Sequence, residues 1–105
     1  MEKNSNNYLP HPIDTSGVEL PEKLISLVGL MAKNCHEVWS VTRMRQGWKY
    51  GPVRDDDKRQ HPDLIPYEQL SEEEKEFDYN TSVSTLKLIM SLGFKIEKKE
   101  NKTID

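Results

Sequence analysis

One stretch constrains the 105-residue chain more than any other: Gly47-Trp48-Lys49-Tyr50-Gly51-Pro52-Val53-Arg54-Asp55-Asp56-Asp57-Lys58-Arg59-Gln60-His61-Pro62. Two glycines and two prolines keep it out of any helix interior, so it divides the chain into two longer halves. It nevertheless carries Trp48, Tyr50, Lys49, Arg54, Lys58 and Arg59. That much aromatic surface in a turn-rich segment must pack on something, either the chain's own helices or a ligand.

Both flanking halves carry helical periodicity. On the N-terminal side Leu24, Leu27, Val28, Met31, Cys35, Val38 and Thr42 recur at spacings of three and four, which predicts an amphipathic helix from about Pro21 to Gln46. Pro21 suits a first helical turn, and Gly47 stops the helix. Gly29 inside it costs about 1 kcal/mol relative to Ala, tolerable if a neighbouring helix comes close there. On the C-terminal side Ser71-Glu72-Glu73-Glu74 is a capping box, and Phe77, Val83, Leu86, Ile89 and Met90 carry the helix to Gly93, its C′ residue, followed by Phe94. Asp78-Tyr-Asn-Thr leaves open whether this helix is broken by a second cap at Thr81. Phe94-Lys-Ile-Glu alternates like a short strand. Between the helices the central stretch predicts a hairpin or paired extended segments, with Trp48 and Tyr50 on one face. Pro10 and Pro12 hold an N-terminal arm extended, so that Tyr8, Leu9, Ile13 and Val18 can lie against the body. The expected organisation is a loose N-terminus over 1–7, a mainly α domain over 8–97 with extended arms, and a charged tail over 98–105.

Charge separates into two blocks. From Arg43 to Arg59 six Lys/Arg face three Asp, a balance of +3; from Asp63 to Asp78 seven Asp/Glu face one Lys, a balance of −6. The net charge of −3 argues against a dedicated nucleic-acid binder. A single cysteine, Cys35, excludes an internal disulfide framework and fits a reducing compartment. No apolar run reaches the length of a membrane span, and the first seven residues are no signal peptide, so a cytoplasmic location is expected.

Catalytic and metal motifs are missing from the sequence. His36-Glu37 would need a second His at position 40, which is Ser40, and His11, His36 and His61 lie too far apart to spell a zinc site. No phosphate-cradling glycine loop or nucleophile elbow occurs. Cys35 and Trp39 are expected in the core. The expectation is a non-enzymatic protein with no cofactor and no metal.

Five blocks in order resemble the ryanodine receptor repeat, or RyR domain: Tyr8-Leu-Pro-His-Pro-Ile-Asp-Thr-Ser, Asn34-Cys-His-Glu-Val-Trp-Ser, Gly47-Trp-Lys-Tyr-Gly-Pro-Val-Arg-Asp-Asp, His61-Pro-Asp-Leu-Ile-Pro-Tyr and Leu86-Lys-Leu-Ile-Met-Ser-Leu-Gly-Phe. The resemblance covers about 8–97 and is to a stand-alone, prokaryotic-type copy. It implies a mainly helical fold with short strands, a homodimer in place of the tandem pair seen in the channels, and a nucleotide-like ligand near Trp48 and Arg54. No conducting role carries over, since no channel segment is present.

Two functional readings follow. In the first, Trp48 and Tyr50 sandwich a flat base while Arg43, Arg45 or Arg54 neutralise phosphates. In the second, Trp48 packs beneath the central segment, Arg54 pairs with Asp55 or Asp56, and the chain is a protein-protein interaction or dimerisation module with no small-molecule ligand.

Overall fold

The computed structural model describes residues 7–99. Two helices, α1 (Glu22–Arg45) and α2 (Glu72–Ser91), are joined by a segment holding two short strands, β1 (Lys49–Tyr50) and β2 (Gln60–His61), and a 3₁₀ turn over Tyr67–Gln69. The fold is mainly α, as the periodicity predicts. The expected loose ends, 1–7 and 98–105, lie outside the described residues except for 7, 98 and 99.

Helix termini follow local chemistry closely. At the start of α2 the Glu74 N–H donates to Ser71 Oγ (3.2 Å) and the Ser71 N–H donates to Glu74 Oε1 (3.3 Å), closing the capping box. Both helices end in the same device. Gly47 (φ 92°) and Gly93 (φ 96°) occupy the left-handed region open to glycine. The following Trp48 and Phe94 N–H groups donate to Arg43 O (3.0 Å) and Ile89 O (3.3 Å), while the two glycine N–H groups donate to Met44 O and Met90 O. The start of α1 has no side-chain cap; Pro21 is its N-cap, and its carbonyl accepts from Leu24 N–H at 2.9 Å. α2 runs unbroken through Asp78-Tyr-Asn-Thr, and Thr81 caps no second segment; Ser82 Oγ and Thr85 Oγ1 bond back to the carbonyls of Asp78 and Thr81 within the continuous helix.

The helices run antiparallel. The end of α1 and the start of α2 share one cleft, and Pro21 and Lys23 share another with Met90 and Gly93. Their contact is narrow. Leu24, Val28, Ala32 and His36, each four residues apart, are the buried line of α1, and Ser82 and Leu86 that of α2. Val28, Ala32 and Ser82 are small, which lets the backbones come close. Leu64 and Leu70 extend this core beneath the connecting segment.

This narrowness corrects several expectations. Cys35 is exposed, as are Leu27, Val38 and Phe77, because one neighbouring helix covers only the every-fourth-residue line. Nothing lies within 4 Å of a Cβ built on Gly29, so no helix approaches there. Tyr8, Leu9 and Ile13 of the N-terminal arm are exposed, and only Val18 is partly covered. Phe94–Glu97 has no strand partner among the described residues.

The central pairing is parallel, not a hairpin: Lys49 pairs with Gln60 and Tyr50 with His61. The chain leaves along β1, turns back at Asp55, which bridges Gln60 in antiparallel sense, and re-enters as β2. Lys58 N–H donates to Asp55 Oδ1 (3.1 Å), and Arg59 (φ 55°) reverses the chain. Arg59 Nη1 then donates to Gln46 O at 2.6 Å, fastening the turn to the end of α1. Gly51 is buried, and a Cβ there would meet Gln60 Cβ at 2.5 Å, so no larger residue fits.

Three substitutions test this construction by thermal and denaturant unfolding. Ser71→Ala is expected to destabilise by about 1 kcal/mol through the lost cap. Gly29→Ala is expected to stabilise by roughly 0.5–1 kcal/mol, since its surroundings are open. Gly51→Ala should destabilise by at least 1 kcal/mol through overpacking. An unchanged Gly51→Ala melting curve would contradict the tight β1–β2 contact.

Candidate functional site

His36 is the buried polar member of the α1 line, four residues after Ala32. Its Nε2–H donates to the Ile65 carbonyl at 2.7 Å, since a carbonyl can only accept. That bond draws the Asp63–Pro66 return of the chain onto the helix. Lys33 does the same one turn earlier, pairing with Glu68 at 2.8 Å.

Aromatic rings continue outward from His36 along the surface. Trp39 stacks on it (centroids 5.6 Å apart, planes at 25°), and Tyr67 tilts against its other side at 6.2 Å. His61 meets Trp39 edge-on at 5.0 Å and Trp48 at 6.1 Å. Trp48 is half-buried and carries two guanidinium groups, Arg43 at 5.4 Å and Arg54 at 5.8 Å from the ring centroid. Arg54 is held there by Asp56, its Nε donating to Oδ1 at 2.9 Å. Of the residues singled out in the sequence, Arg43, Trp48 and Arg54 therefore come together. Tyr50 and Arg45 do not join them: both are exposed, and among the described residues neither makes a ring or cation contact with Trp48.

Beside this cluster lies a cleft of about 480 Å³ between the last turns of α1 and the first turns of α2. Its walls are Cys35, His36 and Trp39 on one side, Glu73, Glu74, Phe77 and Asp78 on the other, with His61, Asp63 and Leu70 between. The cleft is acidic where the Trp48 cluster is cationic, so the two charge blocks of the sequence become two adjoining surfaces. Trp39, His61, Asp63 and Asp78 were not singled out in the sequence as site residues. Trp39 reads as core from its place beside the apolar stripe, and the others have meaning only once the connecting segment is folded back.

Titration reflects this division. Burial, then the nearby Arg54 and Arg43 cations, push the His61 imidazole below its ordinary 6.5, with Glu74 and Asp56 opposing. A neutral His61 is what its geometry requires, because Nδ1 accepts from the Asp63 N–H at 3.0 Å. Burial pushes the Asp63 carboxyl up from 3.8 to about 6, reinforced by its hydrogen bond to Glu74 and by that residue's charge. Glu74 moves the other way, lowered by the same bond and by those from Ser71. Below about pH 6 the two carboxyls share one proton, held on Asp63 and donated to Glu74. Asp78 is raised by burial first and by Glu74. Among the described residues no group of three or more His, Cys, Asp or Glu is arranged to hold a metal ion.

The carboxyl pair gives a signed prediction. The contribution of Asp63 is fully present below its unfolded value of 3.8 and is lost as pH rises through about 6. That of Glu74 is present above 4.5 and is lost as pH falls. His61, lowered, also favours higher pH, so the test is the difference between proteins. Asp63→Asn should remove the fall in stability through pH 6 while keeping a donor for Glu74. Melting curves from pH 4.5 to 8 that run parallel for the two proteins would refute the shared proton.

The family model of the RyR domain matches residues 8–98 of this chain. The chain belongs to that family. No helix among the described residues is long and apolar enough to cross a membrane.

Proposed function

Taking membership of the RyR domain family as the premise, we propose that this chain is a non-enzymatic sensing module for a nucleotide-like small molecule. The site is the Trp48–Arg43–Arg54 cluster together with the acidic cleft beside it. The observation that carries this is the adjacency of the two opposite fields, bridged by the Trp39–His61–Trp48 rings.

A nucleotide has the complementary polarity. Its phosphates suit the two guanidinium groups, which already lie against an indole and need only release solvent or Asp56 to engage them. Its base is flat and suits the Trp39 and Phe77 walls. An exocyclic amino group would donate to the carboxylates of Glu74 or Asp78. Tyr50 and Arg45, on the neighbouring surface, are reserve contacts in this reading. Binding acts by favouring one arrangement of a homodimer, since a ligand shifts only the states between which it discriminates. A cytoplasmic location fits such a ligand and the single cysteine.

The second reading is an interaction module without a small molecule. The exposure of Leu30 and Val38 on one face of α1 favours it, because apolar side chains grouped on a surface mark protein contacts.

Calorimetry with AMP, ADP, ATP and cyclic ADP-ribose separates the two. On the sensing reading wild type gives a saturable heat. The Arg43→Gln/Arg54→Gln protein then binds about 10- to 100-fold more weakly, as expected for lost charge-assisted bonds, with its melting temperature nearly unchanged. No heat from any of the four, or equal affinity in the double variant, ends the nucleotide reading. A Trp48→Ala protein that binds normally but melts early leaves the ring a purely structural role.

A further inference from the structure

α1 has a second apolar face, separate from the one that packs on α2. Leu27, Leu30, Val38 and Val41 are 40 %, 68 %, 56 % and 45 % exposed. At 100° per residue they form one stripe roughly 140° around the helix from the buried Leu24–Val28–Ala32–His36 line. Asn34, also exposed, sits at the stripe's centre.

The order along the stripe is what identifies its occupant. The spacings from Leu27 through Leu30, Asn34 and Val38 to Val41 are three, four, four and three, the same read in either direction. We propose that this face of α1 is a two-fold interface with a second copy of the chain, the two α1 helices lying antiparallel with Asn34 on the axis. A half-turn about Asn34 sets Leu27 against the partner's Val41 and Leu30 against the partner's Val38. Asn34 meets the partner's Asn34, where two amides can exchange hydrogen bonds and fix the register, as a lone central Asn does in coiled coils.

Charge complementarity selects the same arrangement. Lys33 and Glu37 lie on one flank of the stripe, and like flanks meet in an antiparallel two-fold pair. Lys33 then stands within about 3 Å of axial rise of the partner's Glu37, and the reverse contact repeats it. Glu37 makes no ion pair within 4 Å among the described residues, though its charge already acts on Lys33 one turn away, and Lys33 holds Glu68 and has further donors. A parallel pair would instead set this flank against Met31 and Cys35, with no countercharge. Lys23 and Arg45 approach each other at the ends of the contact. Both are solvent-exposed, so their repulsion is small and screened.

This inference gives a face to the dimeric part of the proposed function and does not depend on any ligand. Sedimentation equilibrium of the full chain tests it, with a dimer expected at about 100 μM. Leu30→Glu should be monomeric yet keep its helical circular dichroism, since that side chain supports no intrachain core. Glu37→Lys should weaken the dimer at least fivefold, and adding Lys33→Glu should restore it. On a Cys35→Ser background, mixing Leu27→Cys with Val41→Cys protein under mild oxidation should yield mostly the mixed disulfide dimer. A wild type monomeric at up to roughly 1 mM, a Leu30→Glu protein that still dimerises, or a predominance of like-with-like disulfides would each overturn the proposal. Failure of the calorimetry alone would leave it standing.

Discussion

The bond from the buried His36 ring to the Ile65 carbonyl is the buried tie between α1 and the connecting segment, with Lys33–Glu68 and Arg59–Gln46 as exposed ties on either side of it. Without it a backbone acceptor and an imidazole would be left in the interior, a loss of about 1–3 kcal/mol for each unsatisfied group. The bond also sets the plane on which Trp39 stacks and the point from which the chain descends into α2. His61, Asp63 and the cleft are placed by the same return of the chain. A histidine here, rather than another small apolar residue, exchanges some packing for a directional tie across 29 residues.

Local chemistry was readable from the sequence, and long-range packing was not. The Ser71–Glu74 box and both glycine-terminated helix ends depend on residues within five or six positions of each other, so their signals are complete in the sequence. Both limits of α2 and the end of α1 follow from them. The apolar stripe of α1 misled because hydrophobic periodicity counts every apolar residue as core. It cannot tell that α1 has a single neighbouring helix, so it put Cys35, Leu27 and Val38 inside and gave Ala32 and His36 no role. The parallel β1–β2 register was equally hidden, since it depends on Gly51 touching Gln60 and on Arg59 reaching Gln46. Of the candidate site, Trp48, Arg43 and Arg54 could be found from crowded aromatic and cationic residues in a turn-rich stretch. Asp63 and Asp78 carried no such signal, because a carboxylate beside a capping box already has a reason to be there.

The separation of charge along the chain takes on spatial meaning only through the turn at Arg59. By returning the chain beside β1, that turn lays the acidic block next to the basic one instead of at the far end of the molecule. His61 stands on the boundary, its imidazole lowered by burial and by the cations on one side and drawn the other way by Glu74. The rings of Trp39 and Trp48 flank it, so the boundary is lined by aromatic faces.

Glu74 belongs to two structures at once. Its carboxylate closes the first turn of α2 through Ser71, and it also forms part of the cleft wall through Asp63. Both Ser71 bonds go to Oε1, so a group that enters the cleft meets a carboxylate with one oxygen already held by the helix cap. The serine that starts α2 thereby also aims the carboxylate that faces Asp63 across the cleft wall.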